Sequence, residues 1–192
     1  MRGLYYETGL FDNSPGREFG KKMIPHKPKR DFIYGFVDAE TGLYQTGSTM
    51  EFTNLEDYLN GVTASTTVPG IFPAMKELKK GKAYLDGGVS RNYDIPSAMD
   101  YCLKKVGGDQ SKVTLDVILL ANGAFRIDDA QNYKTIPMIQ RYFEIRDYYG
   151  SMDLLIRARE AYKSVNWRYV LTPTERLSDG KIPLFFEPIV ME

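Results

Sequence analysis

Val113-Thr114-Leu115-Asp116-Val117-Ile118-Leu119-Leu120-Ala121 is a near-continuous apolar run of strand length, and its reading decides the fold class. Such a run is expected of a strand covered on both faces, as in a parallel sheet flanked by helices. Just upstream, Pro96-Ser97 opens a helix predicted to reach about Val106 and to stop at Gly107-Gly108. Before that helix, Ala83-Tyr84-Leu85 reads as a short strand ending at Asp86. Downstream, a long helix is predicted from Pro137 to about Tyr162, with a kink or break at Gly150-Ser151. Trp167 to Leu171 is a further strand, and Ser178-Asp179-Gly180 a turn.

The N-terminal part continues the pattern. Asn13-Ser14-Pro15 reads as a helix entry, with Ser14 as cap and Pro15 at the first helical position. Residues 20–30 hold Lys21, Lys22, Lys27, Lys29 and Arg30 without an acid, and Pro25 and Pro28 make this segment a loop. Phe32 to Asp38 alternates, Glu40-Thr41-Gly42 turns, and Leu43 to Thr46 returns, which is a hairpin. Thr53-Asn54-Leu55-Glu56 has the form of a capping box. Leu55, Tyr58, Leu59 and Val62 then fall on one face of a helix. Strands alternating with helices, one of them apolar throughout, predict an α/β fold with a largely parallel sheet.

Composition narrows the function. The 192 residues are enough for one domain with a real core. Lys+Arg and Asp+Glu both total 25, so bulk charge offers no case for nucleic acid as a partner. The one cysteine, Cys102, cannot form an internal disulfide and reads as a packed helix residue. No apolar run approaches the roughly 20 residues of a membrane span, and the N-terminus has no apolar signal core. The expected place is intracellular, free in solution or peripheral to a membrane, with the compartment left open.

Most catalytic signatures are absent. The one histidine, His26, sits in the basic loop and reads as solvated. There is no Cys/His cluster for zinc, no Asp-rich calcium loop and no phosphate loop, so neither metal nor cofactor is expected. No Gly-x-Ser-x-Gly elbow occurs; Thr46-Gly47-Ser48-Thr49 lacks the second glycine and a following helix. Asp86 remains. It ends a strand, where open α/β sheets place their ligands, and Gly87 and Gly88 follow it. A carboxylate there can take a proton from a hydroxyl and activate it. Taken alone, Asp-Gly-Gly is more often a tight turn in which the aspartate bonds its own backbone.

Three blocks, in order, carry a resemblance. They are Leu10-Phe11-Asp12-Asn13-Ser14-Pro15, Ala64-Ser65-Thr66-Thr67-Val68-Pro69-Gly70-Ile71-Phe72-Pro73, and the stretch from Tyr84-Leu85-Asp86-Gly87-Gly88-Val89 through Asn92 to Pro96. Together they resemble the patatin-like phospholipases over residues 8–122. The resemblance implies a three-layer α/β/α domain over 1–192, incomplete on its N-terminal side. It implies a Ser-Asp lipid acyl hydrolase with Asp86 as the base and Gly87 and Gly88 shaping the site. That family's serine elbow and oxyanion loop lie upstream of the first block, about where this chain begins. The nucleophile is therefore expected on an upstream segment or another chain, and these residues alone are expected to be inactive.

The expected partners follow: a lipid ester or membrane surface, and a protein or upstream segment completing the sheet. The alternatives are an inactive remnant serving as a structural subunit, or a lipid-binding module using residues 20–30 and Lys76 to Lys82. The apolar stripe Met138, Ile139, Tyr142, Phe143, Met152, Leu155 and Ile156 is expected to be core rather than a lipid groove.

Overall fold

A computed structural model of the protein describes residues 9–23, 29–52, 54–76, 78, 80–119 and 129–173. The chain divides into two compact units, Met1–Ala98 and Met99–Glu192. Both mix helices with small sheets, so the α/β class holds.

In the first unit, β1 (Ile33–Asp38), β2 (Tyr44–Ser48) and β3 (Tyr84–Asp86) form a sheet ordered β2-β1-β3, and both pairings are antiparallel. The expected hairpin is there. Asp38 Oδ1 accepts the Glu40 and Thr41 amides at 2.9 and 3.1 Å, and Gly42 takes a φ of +70°. That positive φ suits glycine because no Cβ crowds the carbonyl. Asp38 is itself buried. Burial opposes its ionisation, but the two amides and the Lys82 ammonium at 3.5 Å outweigh it and hold the carboxyl below its ordinary range.

Two helices accompany this sheet. Helix α1 (Ser14–Met23) starts one residue earlier than expected; Asp12 Oδ1, not Ser14, takes the free Ser14 amide at 3.0 Å. Helix α2 (Leu55–Ala64) is capped by Asn54, whose Oδ1 accepts the Asp57 amide at 2.9 Å. The cap therefore falls one residue after the expected Thr53, which lies outside the described residues. Tyr58 and Leu59 on the predicted stripe are buried. Tyr34, Phe36, Ala64, Met75 and Tyr84 make the core, with Phe52 and Leu78 packed against it. Phe36 and Tyr84 meet edge to face at 5.1 Å, a geometry that sets a positive ring edge against a negative face.

The second unit is different. Helix α3 (Ile95–Lys105) begins in the first unit and stops as expected, with Gly107 and Gly108 both at positive φ and the Gly108 amide on the Leu103 carbonyl at 2.8 Å. Strand β4 (Thr114–Ile118) pairs in parallel with β5 (Asn166–Leu171). Helix α4 (Thr135–Ala161) runs through Gly150-Ser151 without interruption. A glycine inside a helix costs only about 1 kcal/mol, and here Ser151 beside it is buried. Pro137 lies in the first turn, where an amide lacks a helical partner anyway.

Three expectations are corrected. The larger sheet is antiparallel, because the short turn after Asp38 can only reverse the chain; among the described residues only β4 and β5 pair in parallel. Among the described residues strand β4 is not buried throughout: Val117 is buried and Ile118 is 64% exposed, with Tyr169, Val170 and Leu171 of β5 also exposed. Most of the stripe on α4 is not core, although Met152 and Leu155 are half-buried. Met138, Ile139, Tyr142, Phe143 and Ile156 are exposed, and the buried positions of that helix are Arg141, Ser151 and Ala158. Helical spacing shows that residues share a face; it does not supply anything to cover it.

Candidate functional site

Asp86 is the last residue of β3, opposite Phe36 of β1. Its amide donates to the Thr67 carbonyl at 2.9 Å, so its backbone is held from two sides. A single 3-10 turn follows over Gly87–Val89, closed by the Ser90 and Arg91 amides on the Gly87 carbonyl at 3.0 and 2.8 Å. Asp86 Oδ1 accepts the Gly88 amide at 2.7 Å. The turn chemistry expected of Asp-Gly-Gly is therefore present, and Oδ2 is the oxygen left to act on another group. Burial pushes the Asp86 carboxyl above its ordinary value, and the Gly88 amide offsets part of that. A carboxylate raised in this way is a stronger base than one in open water.

The two glycines serve different ends, and neither takes a positive φ. A Cβ on Gly87 would stand 2.6 Å from the Gly35 carbonyl oxygen on β1, so glycine is needed there for backbone to lie on backbone. A Cβ on Gly88 would stand 3.1 Å from Asp86 Oδ1 and 2.8 Å from Asn92 Oδ1. Its absence leaves room for the Asn92 and Asp86 oxygens to lie close to the turn.

Tyr44 escaped sequence reasoning, and Arg91, Asn92 and Asp94, though part of the third block, were given no role of their own. The Arg91 guanidinium lies 4.8 Å from the centre of the Tyr44 ring and 3.6 Å from Asp94 Oδ1. Asp94 Oδ1 also accepts the Ser97 amide at 3.3 Å, capping α3. The signal that could have revealed Tyr44 is Gly35, a glycine inside a strand, where a close neighbour is usual.

The three blocks of the resemblance meet in the fold. Leu10 and Phe11 donate their amides to the Gly70 and Ile71 carbonyls at 3.2 and 2.8 Å, joining the first block to the second. The Asp86 amide on Thr67 joins the second to the third.

Other candidates are placed as follows. Ser48 ends β2 and is followed by a turn, and its Oγ accepts the Met50 amide at 3.2 Å. His26 and much of the basic loop lie outside the described residues. Cys102 is half-buried on α3. Lys21 pairs with Glu18 and Glu56, and Lys82 with Asp38 and Glu40, so two of the basic-segment cations are tied to carboxylates. Among the described residues no group of three or more His, Cys, Asp or Glu is placed to hold a metal, and no helix is long and apolar enough to cross a membrane. A groove of about 470 Å³ in the second unit is lined by Tyr133, Lys134, Thr135, Met138, Ile139 and Tyr142, without a carboxylate. No family model matches the chain, and no curated protein matches it.

Proposed function

We propose that the chain is the aspartate-bearing part of a patatin-like, three-layer lipid acyl hydrolase that cleaves glycerolipid or phospholipid esters with a Ser-Asp dyad. The observation that carries this reading is the meeting of the three blocks around one half-buried carboxylate, Asp86. In this reading a serine from outside these 192 residues faces Asp86. The carboxylate takes the serine proton as the serine oxygen bonds the ester carbonyl carbon. The proton passes to the departing alcohol, and a water activated by the same carboxylate then releases the fatty acid. Oδ2 is the accepting oxygen, since Oδ1 is held by Gly88.

The test is to read the coding sequence upstream of Met1 for Gly-x-Ser-x-Gly, express the protein that contains it, and assay ester release. Asp86→Asn is expected to lower the rate by about 10²–10⁴-fold, the usual contribution of a positioned base. The same variant is not expected to lose stability near neutral pH. The folded carboxyl holds its proton more tightly than the unfolded one, so ionisation of Asp86 disfavours the fold as pH rises through the ordinary carboxylate value to the folded one. No serine elbow upstream or on a partner, or full activity in Asp86→Asn, sinks the reading.

A second reading is a non-catalytic subunit of a larger assembly. The exposed apolar residues of α4 and β5 favour it. A soluble, monodisperse monomer isolated from the source would count against it.

A further inference from the structure

Tyr44 stands on β2, yet the end of its ring lies over β1. A Cβ on Gly35 would fall 1.8 Å from the Tyr44 hydroxyl oxygen and 2.4 Å from Cζ, so the ring end occupies the space that this glycine leaves. Gly35 also lies under Gly87, where an added Cβ would stand 2.6 Å from the Gly35 carbonyl oxygen. One strand glycine thus seats both a tyrosine from the far side and the turn that follows Asp86.

From there the contacts lead back to the site. The Arg91 guanidinium packs on the Tyr44 ring at 4.8 Å, and the Arg91 amide holds the Gly87 carbonyl at 2.8 Å. The Tyr44 hydroxyl lies beside the Asp94 carboxylate, whose Oδ2 is buried and makes no hydrogen bond of ordinary geometry. Burial, followed by the neighbouring Asp94 carboxylate, pushes the phenol above its ordinary value. The charged groups that act on Tyr44 are Asp94, Arg91 and Asp86.

We infer that Tyr44 is a positioning residue for Asp86: reaching across Gly35 to Arg91 and Asp94, it holds the 87–94 loop that sets the carboxylate. The inference deepens the acyl-hydrolase reading by naming what presents its base. It does not touch substrate, and its effect passes through Arg91 and Gly87.

The experiment follows the Asp86 carboxyl and the Gly88 amide by NMR through a pH titration of the full chain. Tyr44→Phe removes the hydroxyl beside Asp94 and keeps the ring under Arg91. Gly35→Ala drives the ring end out of its seat. In both variants the Asp86 midpoint is expected to fall by about half a pH unit or more towards the ordinary value, as a looser loop admits water. The Gly88 amide is expected to lose its dependence on that titration. Tyr142→Phe, on the exposed face of α4, is expected to change neither. Tyr44→Phe and Gly35→Ala that fold with both readouts unmoved overturn the inference; if Gly35→Ala does not fold, Tyr44→Phe decides. No ester substrate is used, so an inactive full-length enzyme with a shifted Asp86 would end the hydrolase reading and leave the positioning role standing.

Discussion

At the scale of single residues, the Asp86 turn shows how much depends on atoms that are missing. Gly87 is held to glycine by contact, since the nearest atoms to an added Cβ are backbone atoms of Gly35 and Phe36, which cannot swing aside. Gly87→Ala is expected to lower stability by about 1–3 kcal/mol, the usual cost of overpacking. Urea denaturation of the variant beside the parent measures it. Gly88 is different, because the atoms an added Cβ would meet belong to the Asn92 and Asp86 side chains. Its alanine variant would displace those groups and not the backbone. Sequence reading linked both glycines to a tight turn and to the shaping of the site. Backbone packing against β1 holds Gly87 to glycine, and the side-chain oxygens of Asn92 and Asp86 crowd Gly88.

At the scale of elements, local chemistry was largely legible. The β1–β2 hairpin, β3, α2, the glycine stop after α3 and β5 all stand where periodicity and turn residues placed them. Each is decided within a few residues of its own sequence. Boundaries slipped where two adjacent residues could do one job. Asn54 caps α2, one place after Thr53, because an asparagine side chain reaches the third amide beyond it equally well. Asn54→Ala is expected to cost about 1 kcal/mol, and thermal unfolding followed by circular dichroism would register it; no loss would show that the cap is dispensable. A kink or break was expected at Gly150-Ser151; the helix is not broken there, since a single glycine costs only about 1 kcal/mol.

At the scale of the whole molecule, the described residues of the second unit include several exposed apolar side chains. Among the described residues β4 and β5 form a two-stranded parallel sheet with Ile118, Tyr169, Val170 and Leu171 exposed, whereas parallel sheets are ordinarily covered on both faces. The α4 face with Ile139, Tyr142 and Phe143 adds to it. Ile139→Lys together with Phe143→Lys is expected to leave stability within about 0.5 kcal/mol of the parent, as for exposed positions generally. The same pair is expected to reduce self-association in analytical ultracentrifugation. A large loss of stability would show that the face is packed after all.

Sequence by itself determined the α/β class, most element positions, the absence of a serine elbow and the singling out of Asp86. All of these rest on short-range pattern: turn residues, alternation and motif spacing. Only the tertiary structure decided the antiparallel order β2-β1-β3, the exposure of the α4 and β5 faces, and the surroundings of Asp86. The physical reason is separation along the chain. Tyr44 and Gly35 meet Arg91, Asp94 and Gly87 only after β1 has paired with both of its neighbours. No spacing within any one segment carries that contact.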